Sequence, residues 1–251
     1  VHRYFAASLG LLAITLLVIS FRENKLKAES SILLFVIICQ GIFGYLTVSL
    51  KLHPLIVTTH LFGAMITTSL FLLIFMKSLN ISNQYLALIK NKPVIIIGFI
   101  LIILQLFLGA WTSTNYAARA CLDLPYCQGQ LVPNTNFSEG FNLFQTIGPN
   151  YLYGQMSNEA RVAIHLTHRI GAIIVFFYSI FLIFRLWSAQ TKNILILFAT
   201  ILSTQIFLGV NNVLSSLPLW NAVAHNIVGV MLFLTFVVMT YLSFRGNSEH
   251  Q

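Results

Sequence analysis

A chain of 251 residues that is 57% hydrophobic and only 8% charged, with a mean hydropathy of +0.84, is too apolar for a water-soluble domain, in which about a quarter of residues carry charge. Its 14 Lys and Arg against 6 Asp and Glu give a net charge of +8. The basic residues are spread along the connections between apolar stretches, which makes the charge a matter of membrane topology and gives no case for nucleic-acid binding.

A membrane-crossing helix needs about 20 mainly apolar residues. Seven stretches qualify: 3–21, 31–50, 55–76, 93–114, 162–187, 193–213 and 220–243. Backbone polar groups in lipid must be satisfied within the segment, so each is predicted to be a helix and the fold class is an all-α membrane protein.

The first span carries His2 and Arg3 at its head and ends in a basic turn with Arg22, Lys25 and Lys27. The second holds Cys39, Gln40 and Gly44. A short exit containing His53 and Pro54 leads into the third, where His60 falls within the first two turns. Lys77, Lys90 and Lys92 mark a second basic connection. The fourth span carries Gln105, Gly109 and Trp111, and the one long loop, about 115–160, follows it. The fifth opens on Ile164-His165-Leu166-Thr167-His168-Arg169-Ile170-Gly171-Ala172, the sixth contains Gln205 and Gly209, and the seventh contains His225.

These landmarks repeat. His2, Gln40-x-x-x-Gly44 and His60 are matched by His168, Gln205-x-x-x-Gly209 and His225, with 38 and 37 positions from His to Gln and 20 from Gln to His in both. Agreement at an offset of 165 to 166 argues for two copies of one multi-helix unit. The predicted organisation is a first half over 1–78, a cytoplasmic linker over 79–92, and a second half over 93–245 that includes the loop 115–160.

Nine of the 14 Lys and Arg (Arg22, Lys25, Lys27, Lys77, Lys90, Lys92, Arg185, Lys192, Arg245) fall on one side of the predicted bilayer and five (Arg3, Lys51, Arg119, Arg161, Arg169) on the other. The positive-inside rule assigns the nine, and the C-terminus, to the cytoplasm. Cys121 and Cys127 then lie in an outer loop, in an oxidising compartment, and are expected to pair. Two readings of the pair stand, a staple on the loop or a redox-active dithiol, and the staple is favoured. Cys39, within a span, reads as buried packing.

A histidine inside a membrane span is costly and marks a functional site by default. His2 with His60, and His168 with His225, lie near the outer ends of their helices, so each pair can meet at one depth. Two facing imidazoles in an apolar pocket suit a haem iron with two axial ligands, whereas a bare metal ion wants a third or fourth protein ligand. Arg3 and Arg169 follow ligand candidates at the water boundary, where a guanidinium can bind a haem propionate or simply snorkel; both readings stand. Gln40, Gln105 and Gln205, each four before a Gly, read as architectural bonds between closely approaching helices. His53 and His250 read as solvated, and His165 as structural in preference to assisting His168.

The chain resembles the haem A synthases of bacteria and mitochondria at His2-Arg3, His60, His168-Arg169 and His225, at Cys121 to Gly129, at Gln130-Leu131-Val132-Pro133, and at Asn158-Glu159-Ala160-Arg161. The resemblance implies two pseudo-symmetric four-helix bundles related by an axis along the membrane normal. It implies successive oxidation of a methyl group of haem O to the formyl group of haem A, for cytochrome oxidase assembly. It assigns His2 and His60 to the substrate haem and His168 and His225 to a resident haem b, in the bacterial inner membrane. Membrane lipid, haem O synthase, an electron donor and a second copy of the chain are the partners it implies.

Two departures from the family pattern accompany this. The family's first half opens with a helix and an outer loop ahead of the first His, so the seven spans are expected to be seven of eight. The family also places a catalytic glutamate three residues before that His, upstream of Val1 here, with His165 at the equivalent place in the second half. The chain as written is therefore expected to bind haem and to turn over poorly. A dihaem cytochrome carrying electrons from a quinol to an outer partner needs the same four ligands and is the alternative. A transporter built from parallel repeats is weaker, because no substrate-sized set of polar groups lines the spans.

Overall fold

Long runs of Leu, Ile, Phe and Val leave the backbone no partner in lipid except itself, and they form helices throughout the computed structural model, which describes residues 2–79 and 85–245. In chain order the helices are α1 (His2–Arg22), α2 (Lys27–Ser49), α3 (Pro54–Ser78), α4 (Leu86–Lys90), α5 (Lys92–Thr114), α6 (Phe137–Gly140), α7 (Asn158–Leu186), α8 (Lys192–Leu214) and α9 (Leu219–Arg245). All except α4 and α6 are long and apolar enough to cross a membrane, so the protein is a multi-pass, all-α membrane protein. Each of the seven predicted spans lies on one of these helices. The starts of α2 and α7 are reached four residues earlier than the apolar runs begin, because polar first turns continue the helix beyond the hydrophobic stretch.

The chain divides into two compact units, Val1–Ile81 with Thr146–Asn150, and Ser82–Gln145 with Tyr151–Gln251. In the first unit α2 packs against both α1 and α3. Ala13, Leu33 and Ile74 meet at its centre, with Leu16, Ile37, Leu70 and Phe71 around them. Glu29 of α2 pairs with Lys77 of α3 at one end. Segment 146–150 joins this unit through Lys51, whose Nζ donates to the carbonyl of Gly148 at 3.2 Å.

In the second unit α5 packs against α7 and α9, and α9 against α8. Phe236 of α9 meets Phe198 of α8 edge-on at 5.4 Å and stacks with Phe99 of α5 at 6.4 Å. Gly98 makes this approach possible: a Cβ there would lie 2.7 Å from Phe236 and 3.0 Å from Tyr178 of α7. Even an Ala at this crossing would force the Phe236 ring to shift.

The connections from α2 to α3 and from α8 to α9 are built alike, at the offset of 165. Lys51 and Leu52 take φ of 49° and 63°, and Ser216 and Leu217 take 56° and 63°. Leu52 N–H donates to Thr47 O at 2.8 Å, and Leu217 N–H donates to Asn212 O at 2.8 Å. Such helix ends fold back to satisfy carbonyls that have no partner within the helix. In the first copy the turn encloses His53, which is only 5% exposed. That corrects the expectation of a solvated side chain: Pro54 at the first position of α3 turns the chain inward there. His250 lies outside the described residues.

Candidate functional site

The second copy of the turn ends in a buried amide network just ahead of His225. Asn221, fully buried, donates to Leu208 O at 2.8 Å and to Asn212 Oδ1 at 2.7 Å, and accepts from Asn211 Nδ2 at 2.8 Å. The network ties the first turn of α9 to the last turns of α8. One turn further along α9 is His225, facing Gly209 of α8, where a Cβ would lie 3.1 Å from its Cε1.

The same contact occurs three times. A Cβ on Gly109 would lie 3.2 Å from Cε1 of His168, and one on Gly44 would lie 3.4 Å from Cε1 of His60. Each histidine ring is thus seated on a stretch of neighbouring helix left open by the Gly of a Gln-x-x-x-Gly. The contact is reciprocal, since the Gln in turn faces a Gly on the histidine's own helix: Gln40 against Gly63, Gln105 against Gly171 and Gln205 against Gly229.

In the second unit the glutamines also reach the rings. Gln105 Nε2 lies 3.0 Å from His168 Nδ1 and donates to His168 O at 3.0 Å, and Gln205 Nε2 lies 3.3 Å from His225 Nε2. These side chains were legible in the sequence as helix-to-helix bonds. That their partners are the candidate ligands themselves was not, because the spacing within α5 and α8 says nothing of which face α7 and α9 present.

His60 is within electrostatic reach of His2, and His168 is within reach of His225. His2 is exposed at the head of α1, while His60, His168 and His225 are half-buried. His60 and His225 each keep a buried Nδ1 with no hydrogen-bond partner. Among the described residues no three His, Cys, Asp or Glu side chains come together as a metal site would require. Two imidazoles per unit with nitrogens to spare, on glycine-opened helix faces, fit a macrocycle that brings its own equatorial ligands, so the residues present fit haem.

His165, one turn before His168, is buried and hydrogen-bonds the backbone of Ala117, while its Nδ1 has no hydrogen-bond partner. Cys39 is half-buried rather than buried, and its thiol is free.

Arg169 directs its guanidinium at the loop that precedes α7. Nη2 donates to Cys121 O and Nη1 to Tyr126 O, both at 2.9 Å. Cys121 and Cys127 are joined in a disulfide and buried against Val162. Asp123 closes the turn by accepting from Gly129 N–H at 2.7 Å and Gln128 N–H at 2.9 Å, and these bonds hold its carboxyl below the usual carboxylate range. Residues 121–129 are therefore folded by their own bonds and fastened to the residue next to His168. Arg3 is exposed one position after His2.

The rest of the loop is anchored at Glu139. It accepts from Ser157 Oγ at 2.6 Å and from Ser157 N–H at 2.7 Å, and the Ser157 bonds keep its pKa low. Ser157 is the N-cap of α7, its Oγ accepting from Ala160 N–H at 3.2 Å. The helix that carries His168 thus begins from a fixed point. Trp111 Nε1 donates to Gly140 O at 2.8 Å and joins the same anchor to α5.

Comparison with known proteins places the chain in a family. The COX15-CtaA family, described as a cytochrome oxidase assembly protein, matches residues 1–237. A haem A synthase from Shewanella oneidensis is 35% identical over 258 aligned positions, covering 99% of this chain and 77% of that protein. A haem A synthase from Shouchella clausii is 27% identical over 76% of this chain and 58% of its own length. One from Erythrobacter litoralis is 26% identical over 54% of this chain and 36% of its own. A family match over nearly the whole chain, together with the similarity to the Shewanella protein, makes this chain a member of the haem A synthase family.

Proposed function

We propose that this chain is a membrane oxidoreductase that converts haem O to haem A, oxidising a ring methyl group in successive steps to formyl for cytochrome oxidase assembly. Membership of the family over residues 1–237 is the observation that carries the reading. His2 and His60 of the first unit are the ligand pair for the substrate haem, and His168 and His225 of the second are the pair for a haem b. The seating of His60, His168 and His225 on glycines supports this assignment.

The bound haems supply the redox chemistry. The protein's own contribution is to hold, orient and enclose. Helix pairs α2 with α3, α5 with α7, and α8 with α9 fix the depth and face of the His60, His168 and His225 imidazoles through the glycine contacts. Arg3, beside His2, is the guanidinium most available to a haem propionate. Arg169 already gives two of its five N–H donors to the carbonyls of Tyr126 and Cys121, which leaves fewer for a propionate. The disulfide acts as a staple in this reading, keeping the loop beside His168 and limiting water there. The nine Lys and Arg at one set of helix ends support a C-terminus in the cytoplasm of a bacterial inner membrane. Haem O synthase and an electron donor are the proposed partners, with a second copy of the chain as a further one.

The test is to purify the protein from membranes, extract its pigment and supply haem O. Haem O or haem A beside haem b, with formation of haem A, is expected. Haem b alone with no conversion favours a dihaem electron carrier, and no haem at all ends both readings. Replacing His168 or His225 by Ala should abolish the low-spin haem b spectrum in a folded protein, and its retention in both variants would remove that assignment.

A further inference from the structure

On the reading that the second unit holds haem b between His168 and His225, we propose that Gln105 and Gln205 are positioning residues for that haem, each amide fixing a ligand ring and accepting the ring proton that iron binding leaves behind. The argument begins with proton accounting on the imidazole. A neutral ring has one nitrogen with a hydrogen and one with a lone pair. The nitrogen that binds iron must give its lone pair, so the hydrogen sits on the other, where an acceptor orients the ring and makes it a more basic ligand.

Gln105 occupies that second position at His168, at 3.0 Å from Nδ1, and leaves Nε2 for the metal. Gln205 contacts Nε2 of His225 at 3.3 Å and leaves Nδ1, which is buried and without a partner. An amide carries a donor and an acceptor on one planar group. It can donate to a metal-free ring and, turned over, accept from a ring whose other nitrogen is on iron, at Gln105 giving up the bond that Nε2 donates to His168 O at 3.0 Å. The acceptor is in reserve at both sites, since Gln105 Oε1 and Gln205 Oε1 are buried with no hydrogen-bond partner. A buried carbonyl oxygen left unpaired costs stability, so its occurrence at both ring contacts is an observation that the proposal accounts for.

The first unit lacks the clamp although it has the same residues. Gln40 lies against Gly63, where a Cβ would come within 1.6 Å of its Nε2, and the Nδ1 of His60 is buried without a partner. Gln40 therefore serves as the comparison, with the same motif and helix pairing in a different unit.

An acceptor on a ligand imidazole favours ferric over ferrous iron, so its loss raises the reduction potential. A partner of this kind is worth about 10- to 100-fold in metal affinity. If the whole of a tenfold difference falls on one oxidation state, a one-electron couple moves by about 59 mV.

The experiment is a redox titration of haem b in purified, haem-loaded protein, with paramagnetic resonance g-values as a measure of ring orientation. The variants are Gln105→Leu, Gln105→Glu, Gln205→Leu, Gln205→Glu and Gln40→Leu. The Leu variants at 105 and 205 are expected above wild type. The Glu variants, which keep a carbonyl acceptor, are expected at or below wild type, and Gln40→Leu is expected to leave haem b unmoved. Unchanged potential and g-values in both Leu variants would overturn the proposal, and so would Leu and Glu variants that shift together. Where a Leu variant binds no haem, haem retained by the matching Glu variant supports the proposal and loss from both overturns it. If His168→Ala and His225→Ala keep their low-spin spectrum, the haem b assignment itself fails, an outcome separate from any result at Gln105 or Gln205.

Discussion

Gly171→Ala tests whether the contact between α5 and α7 is organised as described. The added Cβ would lie 2.2 Å from Gln105 Oε1 and 3.1 Å from Leu108 Cδ1. Such an approach to an oxygen cannot persist, and the movable group is the Gln side chain. Swinging it away breaks its contacts to His168 Nδ1 and His168 O, both at 3.0 Å, each worth about 1 kcal/mol, and crowding at Leu108 adds about 1 kcal/mol. Ala in place of Gly returns about 1 kcal/mol of helix propensity, which leaves a net loss of about 2 kcal/mol. For a chain of this size that lowers Tm by about 4–8 °C, readable by circular dichroism in detergent. Gly41→Ala is the reference, because nothing lies within 4 Å of a Cβ there. In a Gln105→Ala background the oxygen is gone and Gly171→Ala should cost little. An equal cost with and without Gln105, or a Tm matching that of Gly41→Ala, would refute the reasoning.

Alkylation of protein purified without reductant should label Cys39 alone, with Cys121 and Cys127 labelled only after reduction; two further labelled thiols in the unreduced sample would contradict the staple. Glu139 has a folded-state pKa below its unfolded value, so its stabilisation is present above the unfolded carboxylate range near about 4.3 and is lost as pH falls through the lowered folded value. The protection of residues 136–160 against hydrogen exchange, taken relative to the intrinsic rate at each pH, should therefore fall in acid, and Glu139→Gln should lower it at neutral pH and flatten its acid dependence; a wild-type profile in that variant would speak against the anchor. Asn221→Leu strips partners from Leu208 O, Asn212 Oδ1 and Asn211 Nδ2 and should cost about 2 kcal/mol. A thermal midpoint equal to wild type would show that the network does not hold α8 and α9 in register.

The sequence made the helices and the internal repeat readable for different reasons. Apolar length marks a span whatever its neighbours do, so seven runs translated into seven long helices. It is blind to polar turns that continue a helix, and so it missed Lys27-Ala28-Glu29-Ser30 at the start of α2 and the Ser157-capped start of α7. The repeat was legible because histidines are rare in spans and their intervals could be compared, and the left-handed pairs Lys51-Leu52 and Ser216-Leu217 carry the same offset into the backbone. Contacts that depend on how one helix faces another were not legible. Arg169 could be read against propionate or water, but nothing in the spacing placed the carbonyls of Cys121 and Tyr126 against it. His53 looked solvated because it precedes a proline in a short polar connection, and only the fold of that turn buries it.

The three Gln-x-x-x-Gly contacts differ where a difference in task would require it. A ring already held in its binding orientation pays less conformational entropy when a ligand arrives, so a clamped pair binds more tightly than an unclamped one of the same chemistry. A resident haem b benefits from that grip. A haem that enters as substrate and must leave as product does not, because holding substrate and product tightly without favouring the transition state slows turnover. On the proposed assignment His168 and His225, each in contact with a glutamine amide, are the resident ligands. His60, whose Gln40 lies against Gly63, and His2, exposed at the head of α1, are the exchangeable ones. The glycine contact alone sets the ring's depth in all three copies, and the reach of the glutamine one turn away decides whether the ring is also fixed in rotation. One repeated helix pair can therefore yield a permanent site in one unit and a transient site in the other without changing a ligand.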